Sequence, residues 1–212
     1  MSKRYPPKFY FSLHSPYSWM ASRLLAERCP QALEEMQMIP YFYPDAQTWK
    51  SMDERGIELH YADMSKAKHL YILQDVKRLS ARFGFEVTWP VDREPWWVLP
   101  HHAWLAARRT GDQNTLYWAM VEARWGRGED ICDRGTLRGI ADAAGLDGAT
   151  LVAAPEDEEL RQEGMDAMEA AYLDDVFGAP YFKIGPHRYW GLDRLDDFIA
   201  GFEQWQRKGR AA

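Results

Sequence analysis

Cysteine is scarce in this chain: there are two in 212 residues, Cys29 and Cys132, far apart and with no redox or metal spacing. Disulfide exchange through a protein's own thiols normally uses Cys-X-X-Cys, so that chemistry is excluded here. Two unpaired thiols in a reducing compartment is the economical reading, with a bond between them left open. An excess of basic residues is missing as well. The formal net charge of −6 disfavours nonspecific binding to the polyanionic backbone of nucleic acid. Nowhere do about 18 apolar residues run together, and the opening Met1-Ser2-Lys3-Arg4-Tyr5-Pro6-Pro7 has no apolar stretch behind its charges. No membrane association is expected, and the chain reads as cytoplasmic. Helical His-Glu-X-X-His runs and Cys clusters are absent, so no metal site is expected. His101 and His102, being adjacent, point to different faces of a helix and read as structural or surface residues.

Aromatic side chains, by contrast, are plentiful, with 10 Trp, 11 Tyr and 9 Phe. Rings in that number fill a core, and they also supply stacking surfaces for planar ligands. The length fits one domain, or one domain carrying a large insertion.

Along the chain, residues 8–12 read as a strand, and residues 16–28 as a helix with Trp19, Met20, Leu24 and Leu25 at helical spacing. Ser15-Pro16 is a good start for that helix, because the hydroxyl caps free N–H groups and proline suits the first turn. Residues 36–43 look like a second strand with an edge or bulge at Pro40. Residues 48–175 are nearly all helical. Segment 66–83 carries Leu70, Leu73, Val76, Leu79 and Phe83 on one stripe; 97–109, 115–125 and 134–144 follow; 156–173 has a thin apolar stripe that predicts partial exposure. Period two then returns in a hairpin, 181–184 and 187–190, before an amphipathic helix at 193–206.

The order is β-α-β, a helical block, then β-β-α. Strand, X-Pro-X-X at a helix start, and a distant Gly178-Ala179-Pro180-Tyr181-Phe182 element is the order of a thioredoxin-type fold, with hydroxyls at both thiol positions. The expected architecture is therefore α/β: a thioredoxin-like domain over residues 1–47 and 176–212, with an all-helical insertion over 48–175.

Four segments, in register from end to end, carry a closer likeness. Phe9-Tyr10-Phe11 with Ser15-Pro16-Tyr17-Ser18-Trp19, Trp125-Gly126-Arg127-Gly128-Glu129-Asp130-Ile131, Val176-Phe177-Gly178-Ala179-Pro180 and Tyr189-Trp190-Gly191-Leu192-Asp193-Arg194-Leu195 resemble the 2-hydroxychromene-2-carboxylate isomerases. Together with the kappa-class glutathione transferases, these form a serine branch of the DsbA-like thioredoxin superfamily. The resemblance implies a glutathione-dependent enzyme, dimeric like its relatives, acting on a small aromatic molecule. It places the glutathione sulfur at Ser15, with Ser18 at the second thiol position. Ala179 and a cis Pro180 would present backbone to the cysteinyl part. Leu192 and Asp193 would receive the γ-glutamyl end, although Asp193 could equally cap a helix, and Lys68 would meet a carboxylate.

Physical chemistry supports a serine in that role. A free thiol has a pKa of roughly 8.5, so little of it is thiolate near neutrality. A hydroxyl donor and the positive end of a helix, together about 2–3 kcal/mol, could lower that pKa by one or two units. Departures from the family pattern are Ser12 for an aspartate, Leu192 for a polar residue, no asparagine in the loop at 45–63, and Tyr181 for a threonine, adding bulk near the sulfur. Trp96, Trp97, Tyr43 and Trp49 are candidate walls for an aromatic substrate. Two other readings stay open: a kappa-class-like transferase or peroxidase, and a catalytically silent thioredoxin-like binding module.

Overall fold

A computed structural model describes residues 5–61 and 64–210. Residues 1–4, 62–63 and 211–212, which the expected domains and the 45–63 loop take in, lie outside the described residues. Four short strands, β1 (Lys8–Phe11), β2 (Gln37–Pro40), β3 (Tyr181–Ile184) and β4 (His187–Trp190), form one sheet in the order β2-β1-β3-β4. β1 pairs parallel with β2 and antiparallel with β3, and β3 and β4 make the expected hairpin. The second strand is shorter than its apolar run suggests, ending at Pro40, beyond which Tyr41 N–H still reaches Phe11 O at 2.7 Å.

Phe9, Tyr10 and Phe11 are all fully buried, which is what a strand covered on both faces requires. Phe9 stacks on Phe182 at 4.6 Å, and Phe182 on Phe198 of the last helix at 4.4 Å. Tyr10 points to the opposite face and meets Tyr181 edge-on at 6.3 Å. Tyr181 is thus turned into the core, so the bulk expected beside the sulfur is not there.

The sheet is flanked by α1 (Pro16–Arg28), α2 (Pro30–Glu35) and α10 (Leu195–Arg210). Between β2 and β3 run α3 (Ala46–Glu54), α4 (Lys66–Phe83), α5 (Val98–Thr110), α6 (Gln113–Val121), α7 (Arg134–Ala143), α8 (Gly148–Val152) and α9 (Glu158–Leu173). Two of them are buried differently from the sequence expectation. α4 buries Val76 and Ser80 while Leu70 and Tyr71 stay exposed, so the inward stripe covers only its later turns. α9 is better seated than its thin stripe implied, because Gly164, Ala167 and Ala171 let it approach closely. Among the described residues no helix is long and apolar enough to cross a membrane, and no group of three or more His, Cys, Asp or Glu is placed to hold a metal ion.

One polar hub under the sheet was not visible in the sequence. Lys8 and Lys183 face each other across β1 and β3, an arrangement in which like charges repel. Asp174, just past α9, resolves it by accepting from Lys8 Nζ at 2.7 Å, from Lys183 Nζ and from the Tyr10 hydroxyl. Burial alone would push the Asp174 carboxyl up, but these three donors outweigh it and hold the group below the usual carboxylate range. Replacing the carboxylate leaves two ammonium groups without a counter-charge. Asp174→Asn is expected to lower the unfolding free energy in urea by about 3 kcal/mol, the low end of what removing one partner of a buried pair costs. An unchanged urea midpoint would contradict that.

Candidate active site around Ser15

The turn joining β1 to α1 is closed by Ser15 N–H on Ser12 O at 3.1 Å. Ser15 is the N-cap of α1: its backbone is extended, and its Oγ accepts from Ser18 N–H at 3.2 Å. The same Oγ donates to Ala179 O at 3.1 Å, which spans 164 positions of the chain. The Ala179–Pro180 peptide bond is cis, and Pro180 O accepts from Gly191 N–H at 3.0 Å. These bonds bring Ser15, Ala179, Pro180 and the turn carrying Leu192 and Asp193 into one corner. Gly178 serves this corner through its lack of a side chain, since a Cβ there would stand 2.8 Å from Trp190 Nε1.

The helix start gives few donors. Pro16 has no N–H and that of Ser18 is taken, leaving Tyr17 N–H free of any backbone bond. The Tyr17 hydroxyl donates to Asp75 at 2.9 Å, tying α1 to α4. His14 is exposed at one edge and stacks on Trp97 at 4.4 Å. Desolvation against that surface and the nearby Arg124 guanidinium lower its pKa to about 4, so the ring beside Ser15 is neutral near pH 7.

The other expected site residues divide. Ser18 is fully buried and accepts from Ser12 N–H at 3.2 Å, so it braces the turn and offers no surface to a ligand. Leu192 is half-buried against the core. Asp193 is exposed and paired with Arg194 at 3.0 Å. Lys68 stands in solvent near the start of α4, with its ammonium 5.8 Å over the Tyr61 ring. A cavity of about 860 Å³ between β4 and α10 is lined by Tyr189, Arg194 and Trp205 and lies apart from Ser15.

Of the four candidate walls, Trp97 is buried and takes both the His14 ring and the Arg124 guanidinium, the latter at 4.7 Å. Trp96 is engaged as well. Its Nε1 donates to Asp45, and Arg134 and Arg161 lie over its ring at 5.2 and 5.7 Å. Tyr43 and Trp49 keep open surface and meet edge-on at 6.1 Å. They follow the carboxyl end of β2, beside the end of β1 from which the Ser15 turn leaves.

Neither native thiol competes for the role of nucleophile. Burial raises the pKa of both Cys29 and Cys132, and both are unpaired.

Two supports of the corner escaped sequence reasoning. Arg124, 2% exposed, sits in a π-helical turn (Glu122–Gly126) with its guanidinium 4.8 Å over Trp125, and binds Asp92 through two bonds of 2.7 and 2.8 Å. Of the two roles expected for His101 and His102 the structural one holds: both are buried in α5. His101 Nδ1 contacts Trp97 O at 2.7 Å, and a carbonyl can only accept, so Nδ1 carries the proton. Its Nε2 then receives Leu13 N–H at 3.1 Å, fixing the turn before Ser15. The signal was available, because the stretch 96–107 is apolar on every side and such a helix is buried all round. Burial holds His101 at a pKa of about 3 against an ordinary 6.5. The unfolded state therefore takes up a proton that the folded state refuses, and stability falls as pH drops below the ordinary value. His101→Gln keeps an acceptor for Leu13 N–H but cannot titrate. Between about pH 6 and 4.5 its unfolding free energy should fall less steeply than wild type, by about 1.4 kcal/mol per pH unit, and equal slopes would contradict a buried His101 that stays neutral.

Residues 8–201 match the DSBA-like thioredoxin domain. The 2-hydroxychromene-2-carboxylate isomerase of Sphingobium xenophagum is 27% identical over 193 residues, 89% of this chain and 93% of that protein. A solved 2-hydroxychromene-2-carboxylate isomerase superposes with a TM-score of 0.69 at 18% identity, over 97% of this chain and 98% of the other. The cytosolic disulfide reductase DsbM of Pseudomonas aeruginosa, determined with GSH, superposes at 0.61 and 18% identity, over 95% and 98%. With sheet order, cis-proline corner and a match over most of its length in agreement, the chain belongs to the DSBA-like thioredoxin family.

Proposed function

We propose that this protein is a glutathione-dependent isomerase of a small conjugated aromatic intermediate of the 2-hydroxychromene-2-carboxylate type, with Ser15 stabilising the glutathione thiolate. The observation that carries the reading is the Ser15 hydroxyl at the start of α1, bonded to the carbonyl that precedes a cis proline. A protein with this corner and no reactive thiol of its own fits the binding of another molecule's sulfur. The relative named as an isomerase, matched nearly end to end, and the neighbour determined with GSH support the same reading.

The donor set suits glutathione. Ser15 Oγ and Tyr17 N–H face a sulfur anion, Ala179 faces the cysteinyl backbone, and Asp193, released from Arg194, faces the γ-glutamyl ammonium. When bound, glutathione supplies a thiol nucleophile for reversible addition to a conjugated double bond, which then rotates as a single bond before the thiol is returned. Ser15 holds charge on sulfur through a hydrogen bond and moves no proton. With its pKa lowered to about 4, His14 is too weak a base to take up a thiol proton, so the corner works without a general base. Tyr43 and Trp49 offer the open aromatic surface for a planar substrate. In this reading residues 1–47 and 176–212 bind the cofactor, 48–175 form the inserted helical part, and the enzyme works as a cytoplasmic homodimer.

Calorimetry with glutathione on wild type and Ser15→Ala tests the claim. The wild type should bind with a Kd in the millimolar range or tighter, and the variant at least tenfold more weakly, since a charge-assisted hydrogen bond is worth about 1.5 kcal/mol or more. Unchanged affinity would contradict the role of Ser15. Turnover of 2-hydroxychromene-2-carboxylate should leave the free thiol concentration constant, whereas stoichiometric thiol loss would make the protein a transferase.

A further inference from the structure

The geometry points to a second small-molecule site: the groove between β4 and α10 takes planar aromatic carboxylates. Ser15, Ala179 and Pro180 are not among its lining residues. Its volume, about 860 Å³, suits a small organic ligand. α10 gives the groove one stripe, Ala200, Gly201, Gln204, Trp205 and Lys208, while Leu195, Phe198 and Phe202 of the same helix turn into the core.

The groove is already shaped for a flat molecule. Glycine is an unfavourable choice inside a helix. A Cβ at Gly201, however, would stand 2.6 Å from the Tyr189 hydroxyl, so the bare position lets the β4 ring lie against α10. Core aromatics hold both rings that line the groove. Tyr189 meets Phe198 edge-on at 5.9 Å, and Trp205 stacks on Phe202 at 5.7 Å.

Charge selects the class of ligand. The chain carries a net −6, yet this groove is lined by Arg188, Arg194 and Lys208 against one carboxylate, Asp197. Both arginines are held by acids, Arg188 by Asp175 at 2.5 Å and Arg194 by Asp193 at 3.0 Å. Among the described residues Lys208 has no ion-pair partner, so its ammonium is available to an incoming anion. It lies eight positions after Ala200, about 12 Å along the helix axis. Two fused rings laid over Ala200 and Gly201, against Trp205 and Tyr189, bring a carboxylate at one end to Lys208.

Calorimetric titration of the full chain with 2-naphthoate tests this, with 2-naphthalenemethanol as the same ring system without charge. Wild type should bind naphthoate with a Kd in the millimolar range or tighter, as a ligand of this size can, and the alcohol about fivefold more weakly. Lys208→Glu reverses the anchoring charge at an exposed position. It should weaken naphthoate by about fivefold or more and leave the alcohol within about twofold. Ala200→Trp, also at an exposed position, fills the groove and should abolish binding of both. Wild type that does not bind naphthoate, or naphthoate binding that survives Ala200→Trp, overturns the site. Naphthoate and alcohol binding equally well, or Lys208→Glu binding naphthoate as wild type does, overturns the assignment to carboxylates.

Discussion

One hydroxyl ties this molecule's ends together. Ser15 caps the first helix and, 164 positions later in the chain, bonds the carbonyl in front of the cis proline, so the β1–α1 turn and the entry to β3 are held as one piece. The chemistry open to the corner follows from that bond. A cysteine in the same place would bring its own nucleophile. A serine brings a hydroxyl donor in place of a thiol, which suits the proposed holding of an anion that another molecule supplies.

Neighbouring helices hold the corner in place, and its charges are paired. His101, neutral and fully buried, reaches from α5 to hold Leu13 N–H, and α4 is fastened to α1 through Asp75 and Tyr17. Arg124 is neutralised by Asp92 and wrapped by Trp97 and Trp125. A buried guanidinium is tolerable only when paired in this way, and the pairing limits its pull on the corner to what reaches His14. Among the described residues no ionised group is bonded to Ser15, and the helix start and hydroxyl there are both donors that favour an anion.

Much of this was legible from the chain because local chemistry and tertiary role coincide. Ser15-Pro16 starts a helix by its own propensities, and α1, α4 and the 181–190 hairpin occupy the spans their apolar periods predict. Where sequence reasoning failed, a long-range partner overrode the local pattern. Leu70 lies on the apolar stripe of α4, yet it stays exposed. Tyr181 follows the proline, but the alternation of β3 sends its ring toward Tyr10. Ser18 is a plausible ligand contact by position, and only the fold of the turn reveals that its oxygen is occupied by Ser12 N–H. Lys8 lies 166 positions from Asp174, with Lys183 nearer by in the loop and strand that follow, so their meeting could not be read from spacing.

The central claim is that Ser15 holds a sulfur anion borrowed from glutathione. A crystal structure of the protein with the tripeptide bound tests it most directly. The account predicts the glutathione sulfur within hydrogen-bonding distance of Ser15 Oγ and the cysteinyl backbone facing Ala179. A tripeptide bound elsewhere, or one at the corner with its sulfur turned away from Ser15, would contradict it.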